Sequence, residues 1–167
     1  MKSFLLAAAM TLGVAGAAAA APLAPVSEVT VAIGPKLQDK ANVYGQRELD
    51  LLTERLLREV QDELDRSGAT GPGGASLRLT IADAVPNHPT FKQLGDRPGL
   101  SIESFGIGGA TIDGSITYAD GRTEPLRYRW YETDIRQAYG GSTWSDAEYA
   151  FDAFARRLVR GDLYAER

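Results

Sequence analysis

The chain has 167 residues, a net charge of −4 at neutral pH, one histidine and no cysteine. Without cysteine it has no disulfide bond, thiol nucleophile, cysteine-ligated metal or lipid attached to an N-terminal cysteine. The acidic balance argues against binding to nucleic acids or anionic lipid surfaces, because both repel a negatively charged protein.

The first residues have the layout of a secretory signal peptide. Lys2 precedes an apolar run from Phe4 to Ala15, and Ala18 and Ala20 provide the small-x-small pattern of a cleavage site after Ala20. The alternative, an uncleaved N-terminal anchor, is less favoured because a membrane span needs about 20 apolar residues. Cleavage leaves 167 minus 20, or 147 residues, and removing Lys2 changes the net charge from −4 to −5. We therefore predict a periplasmic or secreted protein that is soluble and does not span the membrane after cleavage.

A chain of this length holds one domain with a sizeable core. We assign residues 1–20 to the signal peptide and 21–25 to a disordered lead. Residues 26–161 form a single α/β domain, and residues 162–167 form a C-terminal tail.

The first predicted elements are a strand, a helix and a second strand. In "VSEVTVAIG", apolar residues alternate at Val29, Val31 and Ile33, which predicts a strand. The polar segment "PKLQDKANVYG" is interpreted as a connection. An apolar stripe with three- or four-residue spacing predicts an amphipathic helix from Glu48 to Arg66, ended by Gly68. After a glycine-rich turn, "SLRLTIADA" alternates again and predicts a strand parallel to the first.

The longest irregular stretch runs from Pro86 to Gly106 and contains three prolines and the only histidine. Loops of this length in a compact domain are uncommon and are often functional or mobile. A short helix from Thr90 to Leu94 is an alternative interpretation of part of it.

The last predicted elements are a β-hairpin and a helix. "GGATIDGSITY" and "LRYRWY" alternate on either side of an Asp-Gly turn, which is the strongest short hairpin signal. In "STWSDAEYAFDAFARRLVRG", Ser145 and Glu148 predict a capping box and Gly161 a helix end. The order strand–helix–strand–hairpin–helix predicts a two-layer α/β (α+β) sandwich, with two helices on one face of a small mixed sheet.

The glycines of "SFGIGGATIDG" resemble a phosphate-binding loop. Such a loop follows a strand and opens a helix, whose free N–H groups bind the anion. Here Gly106, Gly108 and Gly109 follow an irregular segment and precede a strand. We interpret them as a bend before the strand.

Catalytic patterns are weak. His88 is the only imidazole and has no nucleophile-elbow motif or set of metal ligands around it in sequence. Pairs of carboxylates, Glu132 with Asp134 or Asp113 with Glu103, are the pattern of a glycoside hydrolase. A small carboxylate-dependent hydrolase acting on cell-wall glycan is therefore the alternative to a non-enzymatic protein. We expect no cofactor and no metal.

The residue types most enriched at binding hot spots are concentrated in "RYRWYETDIRQAYGGSTW", where five aromatic residues and three arginines occur. Core aromatics with exposed strand charges are the alternative interpretation. We predict binding of an envelope protein or a cell-wall component through the long loop and this segment. The candidate residues are Asn87, His88, Phe91, Trp130, Tyr131, Glu132 and Trp144.

The segments "GGATIDGSITYADGR" and "TWSDAEYAFDAFARRL" resemble a group of small bacterial envelope domains of unknown function, many of them lipoproteins. At the level of fold, the order of elements is also similar to the N-terminal domain of TolB and to the periplasmic domain of CsgG. The resemblance implies an envelope accessory or binding domain and carries over no active site. This chain lacks the lipobox cysteine of the lipoprotein members.

Overall fold

The computed structural model describes residues 24–137 and 141–164. The predicted signal peptide and most of the predicted lead lie outside these residues. Within the described ranges, no helix combines the length and the apolar composition that a membrane crossing requires.

One layer of the fold is a four-stranded sheet. Its strands, in spatial order, are β1 (Val26–Ile33), β2 (Ala75–Val85), β3 (Gly109–Thr117) and β4 (Thr123–Tyr131). β1 runs parallel to β2, and the other two pairs are antiparallel. The predicted mixed sheet with a parallel first pair and a hairpin is confirmed.

The second layer consists of two long helices, α3 (Gln46–Ser67) and α5 (Ser145–Arg160). Three short helices lie in the connections: α1 (Pro35–Gln38), α2 (Ala41–Tyr44) and α4 (Phe91–Asp96). α3 packs over β1, α5 packs over β3 and β4, and the two helices contact each other. Each ends at a left-handed glycine, Gly68 or Gly161, as predicted. The predicted two-layer sandwich is confirmed.

The core lies between the layers. The apolar stripe of α3 faces alternate residues of the strands, so the periodicities of about 3.6 and 2 that define the elements also define the core. The buried side chains of α3 and α5 include Leu49, Leu52, Leu56, Val60, Leu64, Phe151, Phe154 and Leu158.

Two local predictions need correction. The segment interpreted as a connection forms α1 and α2, because Leu37 and Tyr44 bury their side chains in the core. The capping box at the start of α5 is wrong, since the Ser145 hydroxyl contacts Ser142 and makes no cap hydrogen bond. A capping box occurs instead at Thr90, before α4, where the alternative interpretation placed a short helix.

The C-terminal residues assigned to the tail begin with an ordered segment. Residues 162–164 form a short 3₁₀ turn, and Leu163 is buried against the core.

The connections divide between the two ends of the sandwich. We call the end that contains segments 34–45, 86–108 and the described part of 132–144 the loop end. Here β1, β2 and β4 finish and β3, α3 and α5 begin. The opposite end contains the glycine-rich turn before β2 and the hairpin turn between β3 and β4.

Candidate functional site

Asn87 closes the base of the long loop. The Gly106 N–H donates to the backbone oxygen of Asn87 (2.8 Å), and the Asn87 side-chain amide donates to the Gly106 oxygen (3.2 Å). The Asn87 N–H donates to the Thr143 oxygen (2.8 Å). Both ends of the loop are therefore fixed to each other and to the segment that precedes α5.

Asp146 completes this anchor from the first turn of α5. One of its carboxylate oxygens accepts from Asn87 Nδ2 (2.6 Å) and from the Gly108 N–H (2.8 Å). In return the Asp146 N–H donates to Asn87 Oδ1 (2.8 Å), so Asn87 caps α5 from 59 residues away. The positive end of the helix dipole further favours a carboxylate here. Sequence reasoning missed Asp146, whose only signal was an acidic residue in the first turn of a helix.

Asn87 is only 2% exposed, and its side chain is fully occupied by this anchor. The predicted site residue Trp144 is buried as well. Its Nε1 donates to Glu48 (2.8 Å), and its ring meets Tyr44 edge-on at 5.6 Å. These two side chains position the loop end, and their contact with a partner stays a prediction.

The glycines before β3 permit close contact of backbones. A Cβ atom on Gly108 would lie 2.6 Å from the Val85 oxygen, and one on Gly109 would collide with the Trp130 oxygen. Gly109 also has a φ of +146° and is the first residue of β3. The interpretation of these glycines as a bend before a strand is confirmed.

His88 and Phe91 lie on the loop itself. The half-buried His88 ring packs against Phe105 at 6.3 Å between centroids, and its Nε2 is buried without a hydrogen-bond partner among the described residues. Phe91 begins α4 with 83% of its surface exposed. In the part of the chain that the structure describes, no group of His, Asp and Glu side chains is arranged to hold a metal ion.

The aromatic pair at the end of β4 is divided between the two faces of the sheet. Trp130 lies on the helix side, where its ring contacts Tyr149 of α5 at 4.5 Å. Tyr131 lies on the opposite face, hydrogen-bonded to Thr111 (3.2 Å) and beneath the Arg129 guanidinium at 4.9 Å. The predicted site residues therefore reach the loop end, but these two do not form one surface.

The candidate catalytic carboxylates are held by local partners. Glu132 accepts from the N–H groups of Thr133 (2.7 Å) and Asp134 (2.8 Å), which forms a turn after β4. Arg136 binds Asp134 at 2.6 Å, and its side-chain and backbone hydrogen bonds hold the pKa of that carboxyl below its usual value.

The other predicted pair is divided between different parts of the fold. Asp113 lies within β3, 3.6 Å from Arg127, whereas Glu103 lies on the long loop.

Exposed apolar side chains are concentrated at the loop end. Phe91 and Ile102 are 83% and 71% exposed, and both belong to the long loop. With roughly 200 Å² for a large side chain, the seven exposed apolar residues together expose on the order of 750 Å². The members, all at this end or in the adjoining turns of α5, are Val43, Phe91, Ile102, Phe105, Ile107, Ile135 and Tyr149.

Ion pairs border this exposed apolar set. Lys36 and Lys40 both donate to Asp83 at 2.7 Å, and Lys92 pairs with Asp96 at the same distance. Burial works to raise the pKa of Asp83, but the hydrogen bonds from the two lysines outweigh it and hold the pKa below its usual value. The loop end thus combines exposed apolar side chains with these ion pairs.

No family model matches the chain, and no curated protein sequence matches it. Among solved structures, the fold is similar to that of the rare lipoprotein B from Shewanella oneidensis. The two share 9% sequence identity over 80% of this chain and 92% of that chain, with a TM-score of 0.39. A likeness this weak assigns neither a family nor a function.

Proposed function

We propose that the protein is an exported, non-enzymatic accessory of the cell envelope that binds another envelope component through its loop end. The observation that carries the proposal is the concentration of exposed apolar side chains at that end. Exposed apolar side chains grouped at one end of a soluble protein are typical of an interaction site.

The long loop is suited to binding because its base is rigid and its apolar side chains are exposed. The Asn87–Asp146 anchor fixes the base, so a partner meets side chains whose backbone is already positioned. Pre-ordered binding loops lose less conformational entropy on association than flexible ones. Phe91, Ile102 and Phe105 are the contacts that we assign to the partner.

The predicted signal peptide and the resemblance of the hairpin and last helix to envelope domains support a periplasmic or secreted location. Export after cleavage at Ala20 is part of this proposal, as is the single domain from residue 26 to 161. The hydrolase alternative has no observation in its favour, since Glu132 and Asp134 are used by local hydrogen bonds.

The test is a quantitative pull-down from envelope extracts of the native host. The double variant Phe91→Ser/Ile102→Ser removes the two most exposed apolar side chains of the long loop. Because a central aromatic anchor contributes more than 1 kcal/mol to a typical interface, we expect recovery of the partner to fall about tenfold.

The matched control is Arg58→Ser/Asp62→Ser, which changes two exposed residues on α3 and leaves the net charge unchanged. It should recover the same proteins as the wild type. Identical recovery by the loop double variant would refute the proposed binding surface.

A further inference from the structure

Beyond Val26, the outer edge of β1 has no paired strand in the described part of the chain. β1 is the first strand of the sheet, and β2 is its one neighbour among the strands that the structure describes. The Gly34 N–H donates to the Ile81 oxygen of β2 (2.9 Å), and backbone direction alternates along a strand. The N–H and C=O groups of Val29, Val31 and Ile33 therefore point away from β2, at intervals of about 6.6 Å.

One residue of this edge is already paired. Thr70 forms an isolated parallel bridge with Val26, in which the Val26 N–H donates to the Ala69 oxygen (2.8 Å) and the Gly71 N–H donates to the Val26 oxygen (3.1 Å). The chain then turns away into β2. The edge thus accepts backbone pairing at its first residue, and after the register shift between Val26 and Glu28 the row of outward-facing groups resumes at Val29.

The two outer strands of the sheet differ in how well they are protected against the addition of a further strand. The outer strand β4 carries Pro125, Arg127 and Arg129, the residue types that prevent a further strand from adding. β1 contains no proline and one charged residue, Glu28, near its start. A register shift lies between Val26 and Glu28, but the five residues from Val29 to Ile33 contain no bulge, proline or charge and leave an edge open to pairing.

The side chains at the edge also indicate what binds there. Val29, Val31 and Ile33 lie on the helix side, half-buried at the margin of the core. Thr30 and Ala32, small and exposed, lie on the opposite face. A strand with apolar side chains on one face and small polar ones on the other would extend both surfaces.

We propose that the β1 edge is a strand-addition site that binds an extended segment of a partner protein. The alternating backbone donors and acceptors provide affinity, and the half-buried valine and isoleucine side chains select alternating apolar residues in the segment. This site is separate from the exposed apolar set at the loop end and does not depend on the proposed function.

A second copy of this chain fits the edge poorly. In a symmetric pair, two β1 strands would lie about 4.8 Å apart. Because α3 packs over β1 itself, the two α3 helices would be brought to a similar spacing, whereas packed helices need about 8–10 Å. A single extended segment has no helix above it and avoids this collision.

The first experiment uses a synthetic peptide, acetyl-Lys-Thr-Val-Thr-Val-Thr-Val-Lys-amide, with fluorescence anisotropy as the measure of binding. Two further peptides carry N-methyl groups on the three valines or on the three threonines. In one of these two peptides the methylated nitrogens face β1, and that peptide loses about fivefold in affinity for each hydrogen bond removed. In the other peptide the methylated nitrogens face solvent, and that peptide binds like the parent.

The valine set faces β1 if the peptide adds antiparallel, and the threonine set if it adds parallel, so either difference supports the site. Equal affinities of the two methylated peptides, or no saturable binding of the parent at millimolar concentration, would overturn the proposal.

Amide hydrogen exchange of the intact protein gives an independent measurement. In the free protein the amides of Val29, Val31 and Ile33 should exchange at least about tenfold faster than those of Thr30 and Ala32, which bond to β2. The peptide should slow the first group specifically. Equal protection of the two groups in the free protein would show that the edge is already covered, and the proposal would fail.

Discussion

Replacing Asn87 by alanine tests the anchor that fixes the long loop to α5. The substitution removes the side-chain hydrogen bonds to Gly106 and to the Asp146 carboxylate, and it leaves the Asp146 N–H without its acceptor. The carboxylate keeps its bond from the Gly108 N–H.

The magnitude follows from these contacts. A hydrogen bond to a charged group contributes about 1.5–3 kcal/mol, and a buried donor left without a partner costs about 1–3 kcal/mol. Allowing for partial relaxation, we expect Asn87→Ala to lower the free energy of unfolding by about 3–4 kcal/mol. For a domain of this size, the loss corresponds to a fall in melting temperature of roughly 10–15 °C.

The assay is urea denaturation followed by circular dichroism, with Asn42→Ala as the matched control. Asn42 is exposed on α2, and its substitution should change stability by less than about 0.5 kcal/mol. Equal stability of the two variants would refute the anchor. So would a loss in Asn87→Ala without faster exchange of the Gly106 and Gly108 amides.

Three further substitutions test other parts of the structure. Trp144→Phe keeps the aromatic packing but loses the bond to Glu48, and it should cost about 1–2 kcal/mol in urea denaturation; an unchanged midpoint would contradict this. Burial raises the pKa of Glu59, so its contribution to stability is complete at low pH and is lost as the pH rises through the raised pKa. Glu59→Gln should therefore be more stable relative to wild type at neutral pH than near pH 3, by at most about 1 kcal/mol because the group is largely solvated; an opposite pH trend in denaturation would refute it. A Cβ atom on Gly114 would lie 2.5 Å from a backbone oxygen of β2, so Gly114→Ala should lose about 1–3 kcal/mol in thermal unfolding. Gly106→Ala, with open space around the new atom, is its control and should be nearly neutral.

The main elements were predictable because each carries many residues of one period. α3 places five buried apolar residues on one stripe, β1 alternates over six residues from Glu28 to Ile33, and β2 alternates over seven from Ala75 to Ile81. The Asp-Gly turn and the two terminal glycines are local signals that need no tertiary information. A pattern repeated this often fixes both the type of element and the face that it buries.

The connections were harder to predict because their order comes from tertiary contacts. α1 and α2 have four residues each, too few for a period, and each is held by one buried side chain, Leu37 or Tyr44. The start of α5 was predicted with a local cap at Ser145, whereas the cap comes from Asn87, on another segment. Sequence alone gives no sign of that pairing.

The candidate site was likewise predictable only in part from the sequence. Composition located the long loop and the aromatic segment, and the fold brings both to the loop end. The alternation along β4 predicts that Trp130 and Tyr131 lie on opposite faces of the sheet, and the fold confirms it. Which of the two faces the helices cover depends on tertiary packing. Ile102, Phe105 and Ile107, which contribute to the exposed apolar set, have no periodicity and were not singled out.

The central claim is that the loop end is where this protein meets its partner. Its most direct test is photo-crosslinking in the envelope of the native host, with a benzophenone amino acid placed at Phe91, Phe105 or, on the opposite end, the exposed Asp120. We predict the same crosslinked adduct from Phe91 and Phe105 and none from Asp120. Adducts that are absent at both loop positions, or identical at all three, would contradict the claim.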